Sequence, residues 1–117
     1  ARLVEQFMRA LANADVGQLM SVLSTDAALL MDGGGKVVAP PRSIHGSRRI
    51  SAFLATLPAK LPPEAAVRPA EVNGRPGAVV QTREQTIAVL SFRTENGRIA
   101  AIYVVVNPEK LKHVGIL

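Results

Sequence analysis

The 117-residue chain has no cysteine and no tryptophan. Without thiols it can form no disulfide, offer no thiolate to a metal and use no cysteine nucleophile; a reducing cytoplasm is consistent with that composition. Aromatic residues are scarce: one tyrosine and three phenylalanines, Tyr103, Phe7, Phe53 and Phe92. Three of these fall at core-facing spacing, so no stacking platform for single-stranded nucleic acid is expected. The two histidines, His45 and His113, stand far apart without an H-x-x-x-H spacing, and neither a metal site nor a cofactor is expected. No apolar run approaches the ~20 residues of a membrane helix. The longest, 99–106, suits a strand, and Arg2, Glu5 and Arg9 interrupt the N-terminus in a way a signal peptide would not.

What is present reads as one globular domain. Hydrophobic residues make up 48% of the chain and charged residues 20%, an ordinary balance for a folded protein. The formal net charge is +5, but it is spread along the chain. Residues 1–60 carry seven Lys/Arg against four Asp/Glu, and residues 61–117 carry seven against five. The one basic cluster, Arg42, Arg48 and Arg49, reads as a solvated face or an anion contact, and no direct nucleic-acid binding is expected.

Hydrophobic spacing sets the order of elements. Leu3, Val4, Phe7, Met8 and Leu11 share a helical face, predicting a helix over 2–13. Asp15 followed by Gln18 is a capping pattern for a second helix striped by Val16, Leu19, Met20 and Leu23. Residues 27–31 and 36–39 flank Asp32-Gly33-Gly34-Gly35, which predicts a hairpin ended by Pro40-Pro41. His45-Gly46-Ser47 opens a third helix with Ile50, Phe53, Leu54 and Leu57 on one face, stopped by Pro58, Pro62 and Pro63. Four strands follow, 67–72, 78–83, 86–94 and 98–106. The first pair is joined through Asn73–Gly77 and the second through Glu95-Asn96-Gly97.

The order α-α-β-β-α-β-β-β-β predicts an α+β domain, a cone in which a curved antiparallel sheet packs over three helices. Phe7, Leu11, Phe53 and Leu57 should face the sheet. A cavity would lie between its concave side and the helices, with Phe7, Leu11, Phe53, Phe92 and Tyr103 as candidate lining and room for an unidentified small ligand. In the last strand both parities are apolar. It is either a central strand covered by its own chain or one whose outer face meets a partner. The second reading predicts a homodimer of the isolated chain through Ile102, Val104 and Val106.

The element order resembles the SnoaL-like and ketosteroid-isomerase-like families of the nuclear transport factor 2-like superfamily. Three segments narrow the resemblance. Asp32-Gly33-Gly34-Gly35-Lys36 looks like the DGGGK signature of extracytoplasmic-function (ECF) sigma factors with a C-terminal SnoaL-like extension. Asn107-Pro108-Glu109-Lys110-Leu111 looks like the NPDKL signature of the same extension, with Glu for Asp, and Val72–Gly77 resembles its VNG-x-PG hairpin. The resemblance implies that residues 1–117 are the C-terminal domain of a longer cytoplasmic sigma factor. That domain would regulate promoter recognition in cis, contacting the sigma regions through the DGGGK loop and the NPEKL tail, and through them core RNA polymerase and promoter DNA. A small-molecule sensor in the same cone is the second reading.

An enzyme is the third. Asp32 as general base and Tyr103 as hydrogen-bond donor would be its parts. A glycine-rich turn leaves Asp32 in solvent, without the burial that tunes a catalytic base, so the chain is expected not to be an enzyme. His45, beside Gly46, reads as a structural histidine.

Overall fold

The computed structural model describes residues 2–32 and 42–106, apart from the side chains of Asp32 and Arg42. Helix α1 spans Arg2–Ala12 and buries Val4, Phe7, Ala10 and Leu11, one stripe of its surface. Arg9 sits in its last turn, where a cation meets the negative end of the helix dipole. Helix α2, Val16–Val22, is capped as the spacing predicts: the Asp15 side chain accepts from the Gln18 backbone N–H. It ends at Leu23, whose extended backbone begins strand β1, Leu23–Asp32. Strand β2 is Arg42–His45 and helix α3 is Ser47–Ala55, with a 3-10 turn at Pro58–Lys60. Gly46, at φ +95°, joins β2 to α3, a backbone conformation that favours glycine.

Strands β3 (Ala66–Val72), β4 (Arg75–Gln81), β5 (Thr86–Glu95) and β6 (Arg98–Val106) complete one six-stranded sheet ordered β2-β1-β6-β5-β4-β3. Both Asn-Gly pairs make two-residue turns. Asn73 and Gly74 have φ of 52° and 77°, and Asn96 and Gly97 have 53° and 76°, the positive pair that the tight hairpin turn requires. The first turn is shorter than expected: β4 already begins at Arg75, opposite Val72.

Two features of the sheet correct the reading from sequence. The sheet is mixed, not wholly antiparallel, because β1 runs parallel to β6, setting Leu29 beside Ile102 and Met31 beside Val104. The four later strands form a meander that returns β6 to the middle, and nothing local to either strand encodes that long-range pairing. The partner of β1 on its other side is β2, with Ala28 opposite His45 and Met31 opposite Arg42. It follows Pro40-Pro41 instead of preceding it. The expected strand over 36–39 lies outside the described residues.

A third correction concerns which side of β6 is inside. Ile102, Val104 and Val106, expected outside, are at most 6% exposed and belong to the core, whereas Val105 is 48% exposed. The cause is a bulge. Next to the Asn96-Gly97 turn, Thr94 pairs with Ile99, but Arg93 pairs with Ala101, which leaves Ala100 as an extra residue. An unbroken hairpin would set Leu90 opposite Tyr103. The bulge sets it opposite Val104, and a one-residue slip exchanges the faces of a strand.

Candidate functional site

The helices cover one side of the sheet and meet it unevenly. At one end the space is closed: Phe7 of α1 and Phe92 of β5 are fully buried and meet edge to face, ring centroids 5.0 Å apart. Such a pair adds about 1 kcal/mol to what its buried area supplies. Away from that plug the layers part and leave a cavity of about 500 Å³.

The cavity is built from apolar side chains. Leu11, Met31, Leu54, Ile87, Leu90 and Val104 are among its buried walls. Leu57, Pro58, Leu61 and Ala65, from the segment after α3, line it together with Met8 and Ala12 of α1. Small residues are part of the lining: Ala65, Ala66 and Ala88 are among them. Among the described lining residues, Arg9 alone carries a charge.

Of the five residues expected to line this space, Leu11 does so, but Phe7 and Phe92 are spent on the plug. Phe53 packs half-buried against the core and is not on the wall. Tyr103 is on the other side of the sheet, because the Ala100 bulge turned its parity outward. There Arg75 stands over its ring at 5.8 Å. A hydrogen bond with Tyr103, and then the charge of Glu95 3.0 Å away, hold the Arg93 guanidinium still more firmly in its charged form. Asp32 pairs along its backbone with Val105, and its side chain is not among those described.

Residues Gly33, Gly34, Gly35 and Lys36 of the glycine loop, and Asn107, Pro108, Glu109, Lys110 and Leu111 of the tail, lie outside the described residues. Their attachment points are described: β1 and β6 end side by side, with Asp32 next to Val105. The two motifs therefore leave the sheet from neighbouring strands at the same end, a juxtaposition that sequence reasoning could not see. Of the basic cluster, Arg48 and Arg49 are exposed on α3, and His45 is exposed at the end of β2. Among the described residues no three acidic or histidine side chains gather into a metal-binding group. No described helix is long and apolar enough to cross a membrane.

What the wall residues could not have announced is their shared position. Met31, Val80, Ile87 and Val106 come from four strands, and their common trait in the sequence is only that they are apolar.

No family model matches the chain, and no curated protein matches it in sequence. Solved structures do match in shape. The ECF sigma factor SigJ of Mycobacterium tuberculosis is similar over 99% of this chain and 45% of its own, at 22% identity and a TM-score of 0.67. This chain therefore spans less than half of that protein's length. A steroid delta-isomerase from Pseudomonas aeruginosa is similar over 97% of this chain and 84% of its own, at 20% identity and a TM-score of 0.65. A de novo designed protein with a curved β-sheet reaches 22% identity and a TM-score of 0.67, over 97% of this chain and 89% of its own. A sigma factor, an isomerase and a designed protein share one shape, so shape does not carry function here. It does carry the fold: a curved mixed sheet over three helices, the cone of the nuclear transport factor 2-like proteins.

Proposed function

We propose that this chain is a regulatory, non-catalytic domain of an ECF sigma factor that modulates promoter recognition by contact with the sigma regions. The observation that carries the reading is the chemistry of the cone. Its described walls hold no carboxylate, histidine or tyrosine, so they do not assemble the acid and base that a ketosteroid-isomerase-like reaction requires. Tyr103, the one tyrosine, is committed to the opposite face with Arg75 and Arg93.

Support for the sigma-factor part comes from two further directions. The DGGGK and NPEKL segments leave the sheet side by side from the ends of β1 and β6, so one partner surface can meet both. The likeness to SigJ takes in nearly all of this chain and under half of the other, as a domain appended to sigma regions would. Transcription initiation then places the protein in the cytoplasm, with core polymerase and promoter DNA reached through the sigma regions.

The test is the full-length gene product carrying Gly33→Ala, Gly34→Ala and Gly35→Ala together. Alanine restricts the backbone and adds a Cβ where another chain must approach closely. Promoter-dependent transcription should change several-fold while the melting temperature of the domain moves only a few degrees. Unaltered transcription overturns the docking role. Turnover of a small substrate that depends on Asp32 overturns the non-catalytic reading.

A further inference from the structure

We infer that the cone is a binding site for a small apolar carboxylic acid, its hydrocarbon part in the cavity and its carboxylate on Arg9 at the mouth. This stands apart from the sigma-factor reading and needs only the cavity.

The volume, about 500 Å³, falls within the ~300–1,000 Å³ of ordinary small-molecule sites. Its interior excludes polar ligands. Leu11, Met31, Leu54, Ile87, Leu90 and Val104 offer no hydrogen bond, and a ligand amide or hydroxyl placed among them would lose its water without replacement. A hydrocarbon body, by contrast, gains contact with every wall.

The mouth is where lining residues reach solvent. Arg9 and Ala12 on α1 and Ala66 at the start of β3 are the exposed members of the described lining. Pro58, Leu61 and Ala65 are half-buried beside them. A ligand seated in the cavity therefore presents its outer end to Arg9. Among the described residues, the single ion pair is Arg93–Glu95. Even Glu5, one helical turn before Arg9, does not hold the Arg9 guanidinium. No described acidic side chain thus occupies the group, and a planar guanidinium takes a carboxylate through two parallel hydrogen bonds. One cation at the rim matches one negative charge, which favours a carboxylate over a doubly charged phosphate.

Calorimetric titration of the 117-residue chain with decanoate and with decanol tests this. The two probes share a chain length and differ in the charged end. Decanoate should bind about fivefold more tightly than decanol, the scale of an ion pair at a partly exposed site. Arg9→Gln should erase that difference and Arg9→Lys should keep part of it. Ala88→Phe, which adds bulk to the cavity wall, should abolish binding of both probes while thermal unfolding stays cooperative. Equal affinity of the wild type for both probes overturns the role of Arg9, as does decanoate binding unchanged in Arg9→Gln. Binding of neither probe overturns the site itself. Arg9→Gln is on the surface and folds regardless, so the first comparison survives even if Ala88→Phe does not.

Discussion

The two faces of strand β6 are built from nearly the same residue types and do opposite work. On the concave side Ile102, Val104 and Val106 are buried, against Phe92, Leu90 and Ala88 of β5. On the convex side Tyr103 is half-buried under Arg75, and Val105 is 48% exposed, near Leu30 at 40%. Valine at 104 is core and valine at 105 is surface. Apolar character by itself therefore does not say which way a strand faces. Register does, and here one extra residue sets it.

The largest effect should come from adding a second extra residue. One alanine inserted between Ala101 and Ile102, with Arg93 still paired to Ala101, puts Tyr103, not Val104, opposite Leu90. The strand would have to bury a phenol and Val105 while expelling Ile102 and Val104, which reverses its contribution to the core. We expect the insertion variant to lose cooperative unfolding and dispersed amide resonances altogether. A native-like melt would mean that the bulge widens to take up the added residue and that the concave assignment rests on more than the spacing along β6.

Next in size is the plug. Phe92→Ala removes a fully buried ring together with its edge contact to Phe7, and large-to-small changes of this kind cost about 4 kcal/mol. Urea unfolding should show that loss as a lower midpoint at constant slope. A loss below ~1 kcal/mol would mean that the cavity collapses onto the vacated space, making the two ends of the cone a single adaptable void.

Gly77→Ala tests where the sheet's curvature is held. A Cβ at Gly77 would stand 2.4 Å from the Leu90 carbonyl oxygen and 2.7 Å from the Val72 side chain. Val72 can shift, but the carbonyl belongs to the paired strand and cannot move alone. The close approach of β4 to β5 there is open only to glycine. Overpacking of this order costs about 2 kcal/mol, or about 10 °C in melting temperature. It should also weaken binding in the cavity, since β4 and β5 supply Val80, Ile87 and Leu90 to its wall.

Much of this fold was legible in the chain because its signals are local. Asp15 caps α2 through Gln18, and each Asn-Gly makes a tight turn, since these outcomes depend on residues within three positions of one another. Apart from the Ala100 bulge and the shorter first turn, the misreadings were of longer range. Pro40-Pro41 reads as an end, yet the strand that pairs with β1 follows it. The parallel pairing of β1 with β6 joins segments about seventy residues apart, where no spacing rule applies. The cavity followed from the element order, but its lining did not: aromatics were the natural candidates, and packing used Phe7 and Phe92 to close the cone. Arg9 read as a break in an apolar N-terminus, and its place at a mouth appears only once α1 is laid beside Ala66.

The finest test compares Val104→Thr with Val105→Thr. Threonine keeps the shape and the β-branched preference of valine, so strand propensity cancels and only the exchange of a methyl for a hydroxyl remains. At 104 the hydroxyl enters a wall that is 6% exposed and surrounded by apolar groups. Left without a partner there, it should cost about 1–3 kcal/mol. At 105 the same atom faces water, and the change should stay within ~0.5 kcal/mol. The two substitutions are adjacent and chemically identical, so their difference in urea midpoint measures the two faces directly. If Val105→Thr proves as costly as Val104→Thr, the convex face is covered in solution. A second copy of the chain is then the simplest cover. In that case the wild-type melting temperature would fall on dilution, because a dimer's stability depends on protomer concentration. Equal costs without any concentration dependence would instead place the cover within the chain itself, over Leu30 and Val105.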